Sequence, residues 1–244
     1  MCHSDESRPP APPRQGDVGQ HGDLRLTAAD GNSLLAYEAH PAQPSGRGIV
    51  ILPDIRGLHE YYKQLALRFA EAGFHAVAFD YFGRTAQDDD RSEGFDWQAH
   101  IPLTTPETVS LDVAAGVAHL RTAGVASVFT VGFCFGGRNS YRQAADQPGI
   151  AGAIGFYGSV DTVGPVVDDV QAPILMLLAG ADQSIDPASF DGLIETLTAR
   201  GIDAERHVYD GAPHSFFDRS FADHAEACAD AWTRILDFTG RHAA

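Results

Sequence analysis

Beyond about residue 20, short apolar runs alternate along the chain with stretches whose apolar positions recur at helical spacing. The runs at 48 to 53 (GIVILP), 75 to 80 (HAVAFD), 126 to 133 (ASVFTVGF), 151 to 158 (AGAIGFYG), 172 to 180 (APILMLLAG) and 204 to 210 (AERHVYD) predict strands. Between the first two, Tyr61, Leu65, Leu67, Phe69 and Ala70 share a helical face closed by Gly73, which makes a strand-helix-strand unit. The stretch from Thr105 to Ala123 opens with Thr-Pro-Glu and carries Val109, Val113, Val117 and Leu120, so it predicts a second helix. A third helix begins near Gly136, and others cover 187 to 200 and 221 to 239. Strands apolar on both faces need cover on both sides, so the pattern predicts an α/β fold with a mainly parallel central sheet and helices on both faces. Leu24, Leu26 and residues 34 to 37 flank the turn-forming Ala-Asp-Gly-Asn at 29 to 32 and add an N-terminal β-hairpin.

Residues 1 to 22 are rich in Pro and polar residues without an apolar period, so they are expected to form a flexible tail outside a single domain at 23 to 244. The segment 87 to 106 carries Asp88 to Asp90, Arg91, Glu93 and Asp96 beside Phe95 and Trp97. It reads equally as a solvated acidic loop or as an excursion over the C-terminal edge of the sheet, where open α/β sheets bind ligands. With 17 Lys+Arg against 33 Asp+Glu the chain carries a net charge of −16, which disfavours phosphate backbones and anionic lipid surfaces, so neither nucleic acid nor membrane is an expected partner. No apolar run approaches the roughly 18 residues that span a bilayer. The opening MCHSDESRPP lacks a cationic start and an apolar segment, so a cytoplasmic location is expected. Cys2, Cys134 and Cys228 are too few and too scattered for a disulfide framework or a metal clip, and the histidines lack zinc-ligand spacing, so no metal is expected.

The sharpest chemical signal is Gly132-Phe133-Cys134-Phe135-Gly136-Gly137, where a strand ends and a helix begins. Small residues there let the chain approach itself closely, and the helix N-terminus lowers a thiol's pKa and offers free N–H groups to an oxyanion. A buried structural cysteine is the competing reading, but the small-residue frame favours a nucleophile. A nucleophile needs a base and the base an orienting carboxylate. Asp182 follows the strand ILMLLAG and His214 follows the last strand after Gly-Ala-Pro, so both leave the same end of the sheet. The order Cys134, Asp182, His214 is that of α/β-hydrolases. Asp186 precedes Pro187 and is explained as a helix cap, and His207 falls inside a strand. Pro53-Asp54-Ile55-Arg56-Gly57 follows the first parallel strand, where the Ile55 N–H could join that of Phe135 in an oxyanion hole. Arg84, after Tyr81-Phe82-Gly83, reads either as a clamp for a substrate carboxylate or as a partner of the acidic residues 88 to 90.

From about Asp23 onward the chain resembles the dienelactone hydrolase (carboxymethylenebutenolidase) family of the α/β-hydrolase superfamily. The resemblance rests on Gly132 to Gly137, supported by Pro53 to Gly57, Asp80 to Arg84, Gly155-Phe156-Tyr157-Gly158, Gly180-Ala181-Asp182 and Pro213-His214-Ser215-Phe216. It implies an α/β-hydrolase fold, a small ester or lactone substrate bearing a carboxylate, an acyl-cysteine intermediate and no cofactor. Carried over, Cys134 attacks, His214 relays protons, Asp182 orients it, Phe135 and Ile55 hold the oxyanion, and Arg84 and Tyr157 meet the substrate. Two positions depart from the pattern. Asp54 stands where well-known members have a Glu that helps generate the thiolate, and Asp218 stands where they have a carboxylate-binding arginine, which leaves Arg219 or Arg56 as substitutes. A broad carboxylesterase or thioesterase using the same residues is the alternative, and a ligand-binding protein on a hydrolase fold is a further one.

Overall fold

Period-two alternation of apolar side chains decides which face of the sheet each residue enters. The computed structural model describes residues 6–86, 88–218 and 220–244. Among these, the strands are β1 Val18–Thr27, β2 Ser33–Pro41, β3 Arg47–Leu52, β4 His75–Phe79, β5 Ser127–Phe133, β6 Gly152–Phe156, β7 Ile174–Ala179 and β8 Ala204–Tyr209. The helices are α1 Glu60–Glu71, α2 Trp97–His100, α3 Pro106–Thr122, α4 Phe135–Asp146, α5 Asp191–Ala199 and α6 Ala225–His242. The strands form one sheet in the order β1-β2-β4-β3-β5-β6-β7-β8. β2 runs antiparallel to β1 and β4, and the remaining pairs are parallel. This is the α/β-hydrolase fold with its N-terminal hairpin.

Ile49, Ile51, Val131, Phe133, Leu175 and Leu177 face a core shared with α1 and α6, while Val50, Leu52, Val128, Ile174, Met176 and Leu178 face one shared with α3, α4 and α5. Both sets are buried, which is why these strands read as continuous apolar runs. Burying each such side chain stabilises by about 1.5–3 kcal/mol before entropy is counted. The crossover through α1 carries the chain to one side of β3 and that through α3 carries it to the other, so a crevice opens at the C-terminal ends of β3 and β5. Thr105 caps α3 by accepting from the Thr108 N–H, with Pro106 at its first position.

The N-terminal segment departs from expectation. β1 already begins at Val18, Pro9, Pro10 and Pro12 are buried, and the fully buried Trp232 of α6 donates its indole N–H to the Pro10 carbonyl at 3.1 Å. Gly16 N–H donates to the Glu71 carbonyl at 2.7 Å. Proline's restricted φ reduces the entropy lost on ordering, and a single aromatic anchor is invisible to a periodicity reading. The segment 88–106 is likewise pinned. Arg91 is buried, donates to both oxygens of the fully buried Asp80 at 3.0 Å each, and lies 4.4 Å over the Phe95 ring. No helix among the described residues is long and apolar enough to cross a membrane.

Candidate active site

Cys134 sits between β5 and α4 with φ 54°, a conformation L-residues rarely adopt. The turn is possible because its neighbours lack side chains. A Cβ on Gly132 would meet the Gly136 carbonyl oxygen at 2.0 Å, and one on Gly136 would meet that of Leu52 at the same distance. Cys134 is held by its N–H to the Phe156 carbonyl (3.1 Å) and by its carbonyl accepting the Arg138 N–H (3.2 Å). Phe135 opens α4, so its N–H has no intrahelical acceptor and faces the same end of the helix as the thiol.

His214 lies on the loop after β8, half-buried, with Nδ1 2.6 Å from Oδ2 of Asp182 on the loop after β7. The Asp182 side chain is only 1% exposed, and its Oδ1 accepts the N–H groups of Ser184 (2.9 Å) and Ile185 (3.3 Å). A carboxylate only accepts, so His214 keeps its Nδ1 proton and donates it in a hydrogen bond to Asp182, and in that tautomer Nε2 is the unprotonated nitrogen. Cys134 and His214 open into one pocket of about 540 Å³, lined also by Ile55, Ile101, Phe135, Arg138, Tyr157, Ser159, Asp161, Ser184 and Ile185. Ile101 comes from the 87 to 106 excursion, so that segment forms part of the wall.

The Ile55 loop is built by its neighbours. Asp54 is fully buried and its Oδ1 accepts the Arg56 N–H at 2.9 Å, closing an Asx-type turn, while the Asp54 N–H donates to the Tyr62 hydroxyl at 2.9 Å. The Tyr81 hydroxyl donates to the Pro53 carbonyl at 2.7 Å, and burial followed by the charges of Asp54 and Asp80 holds it well above its ordinary pKa, so it stays a donor. Ile55 itself donates its N–H to no acceptor among the described residues.

The remaining candidate residues fall partly inside this pocket and partly outside it. Tyr157 does line the pocket, with φ 38°, its ring 4.9 Å from that of His214 and its hydroxyl donating to Asp218 at 3.0 Å. Asp54 is not among the residues that line the pocket; its Oδ1 accepts the Arg56 N–H within the turn. Arg56 is buried outside the lining as well. Arg84 is committed elsewhere, pairing with Asp30 and, at 2.7 Å, with Asp112 rather than with residues 88 to 90. Arg219 lies outside the described residues, as does Cys2. Arg138, which the sequence reading passed over, does line the pocket; its place one residue after the Gly136-Gly137 pair was the available signal. Asp186 caps the turn at Pro187 by accepting the Ala188 N–H, and His207 is part of β8. Cys228 is on the buried face of α6, its thiol directed at the Phe216 carbonyl, and burial pushes its pKa up to about 12. One cluster of metal-ligand type among the described residues, Asp203, Glu205 and His242, lies at the opposite end of β8 from the pocket.

A positive-φ cysteine between strand and helix, with an acid and a histidine on later strand-end loops, is the arrangement of the α/β-hydrolases. The model of the dienelactone hydrolase family matches residues 34–243. The chain therefore belongs to the dienelactone hydrolase family and is a hydrolase of the kind that acts on esters or lactones. It is 30% identical over 241 residues to a Yersinia pestis protein named "Putative carboxymethylenebutenolidase", covering 92% of this chain and 90% of that one. It is 29% identical over 259 residues to the carboxymethylenebutenolidase of Rhodococcus opacus, covering 99% and 97%. A solved "Putative Dienelactone Hydrolase" of Klebsiella pneumoniae superposes with a TM-score of 0.79 at 24% identity, covering 92% of this chain and 99% of that one, and supports the fold.

Proposed function

We propose that this protein hydrolyses a small ester or unsaturated lactone bearing a carboxylate, with Cys134 as nucleophile. The observation that carries the reading is one pocket lined by a thiol at a helix N-terminus and by a histidine whose Nδ1 is fixed by a buried carboxylate. In the proposed reaction, His214 Nε2 takes the thiol proton and the sulfur attacks the carbonyl carbon. The N–H groups of Phe135 and Ile55 hold the developing oxyanion, where fixed donors act most strongly because they need not reorganise. Collapse expels the alcohol or enol oxygen, which takes the proton from His214 and leaves an acyl thioester on Cys134. Water, deprotonated by His214, then releases the acid and restores the thiol. Asp54 contributes by shaping the loop that presents Ile55.

The test is loss of conjugated-lactone absorbance when the protein meets dienelactone, run beside Cys134→Ala. Turnover by the parent and none by the variant is expected, and turnover surviving in Cys134→Ala refutes the nucleophile. The side chains of Ile55, Ile101, Phe135 and Ile185 in the lining favour a second reading, a carboxylesterase or thioesterase for uncharged acyl groups. A panel of neutral esters and thioesters turned over faster than the lactone would establish it.

A further inference from the structure

We infer that Arg138 is the residue that selects an anionic substrate, receiving a carboxylate carried by the ester or lactone; this rests on the hydrolytic reading above. Among the described residues that line the pocket, it is the one arginine or lysine. It is also without a counter-ion there. In a chain holding 33 acidic side chains, Arg84, Arg91, Arg142, Arg206 and Arg234 each pair with a carboxylate, but the Arg138 side chain forms no ion pair among the described residues. Its Nε is shut off from solvent and meets no acceptor. A half-buried guanidinium left in this state is an incomplete site, because buried donors are ordinarily satisfied.

What holds the side chain in place uses its face and spares its edge. The Arg138 guanidinium carbon lies 4.7 Å over the Phe135 ring, three residues earlier on α4. Stacking of this kind fixes the plane while leaving the terminal Nη N–H groups to donate two parallel hydrogen bonds to a carboxylate. Phe135 also supplies a proposed oxyanion N–H, so the stack ties the position of the charge to that of the reacting carbonyl. The one acid among the described lining residues, Asp161, is exposed and accepts from the Ser159 hydroxyl at 2.8 Å instead. The departure at Asp218 fits the same picture, since that carboxylate is buried against the Tyr157 hydroxyl and offers no positive charge to an anion.

The experiment compares the mono-4-nitrophenyl ester of glutaric acid with 4-nitrophenyl pentanoate, which has the same chain length without the charge. The ratio of their kcat/KM values is measured in the parent, Arg138→Met and Arg138→Lys. The ratio should fall about tenfold or more in Arg138→Met, as loss of a charge-assisted contact requires, and recover in part in Arg138→Lys. A parallel fall for both esters, leaving the ratio unchanged, overturns the proposal even though hydrolysis persists. In a second measurement independent of turnover, the alkylation rates of Cys134 by iodoacetate and by iodoacetamide are compared, following the Cys134 peptide by mass. A several-fold loss of the iodoacetate preference in Arg138→Met supports the anion site even if neither ester is cleaved, and an unchanged preference overturns it. Unfolding midpoints within a few degrees of the parent certify that each variant is folded.

Discussion

Replacing Asp182 by Asn probes the proposed proton relay while changing almost nothing in shape. In the parent, Oδ2 accepts a hydrogen bond from His214 Nδ1–H at 2.6 Å, and Oδ1 accepts those of the Ser184 and Ile185 N–H groups at 2.9 and 3.3 Å. An Asn side chain has one oxygen to serve both sides. Turning that oxygen toward His214 would set its NH2 against two backbone donors and forfeit two hydrogen bonds of about 0.5–1.5 kcal/mol each. The oxygen therefore stays on the loop and the NH2 faces Nδ1, which must then accept. The imidazole proton moves to Nε2, the nitrogen that has to take the thiol proton, and the base is lost by tautomer rather than by displacement. The same exchange in a serine triad lowers kcat about 10⁴-fold with the geometry intact, or about 5.5 kcal/mol of transition-state stabilisation. A thiol ionises more readily than a hydroxyl, so the loss expected here is about 10²- to 10⁴-fold. The assay is kcat on the ester that Cys134→Ala fails to turn over, with circular dichroism and an unfolding midpoint as the check on structure. A loss under about tenfold in a folded Asp182→Asn protein would refute the tautomer argument and with it the assignment of Asp182.

Arg91→Ala should destabilise the protein by about 3–5 kcal/mol, since it strands the buried Asp80 carboxylate without its partner, and urea denaturation measures the change. A cost below about 1 kcal/mol, the range of an exposed pair, contradicts the burial of that pair. Asp112 gives the stability a pH dependence. Burial pushes its carboxyl up from 3.8 to about 6, against the pull of Arg84, so the folded state holds this proton more tightly than the unfolded chain does. Its contribution is complete below about pH 4 and is lost as pH rises through about 6, at about 1.4 kcal/mol per pH unit of the gap. The stability of the parent minus that of Asp112→Asn should therefore fall by up to about 3 kcal/mol between pH 4 and 7, and a difference flat across that window contradicts it.

The sequence by itself determined what depends on neighbours along the chain. Period-two and helical spacing fixed the parallel strands and their covering helices, because each element's apolar face is set by its own side chains. The Gly132 to Gly137 frame identified the turn at Cys134, since residues without side chains are required where backbone meets backbone. Asp182 and His214 were legible as strand-end residues once a parallel sheet was expected. Tertiary structure alone decided the pairings between distant residues. Arg84 finds Asp30 and Asp112, 54 and 28 positions away, and Arg91 buries its charge on Asp80, 11 positions away, at 3.0 Å, closer than its sequence neighbour Asp88 at 3.7 Å. The indole of Trp232 orders Pro10 across 222 positions, which brings part of the expected tail into the fold. Arg138 becomes a pocket residue because α4, Phe135 and the loops after β6 and β7 converge around it. Local patterns encode which face a side chain takes, whereas a charge's partner is chosen by whichever group the completed topology brings within about 3–4 Å, and no spacing along the chain records that distance.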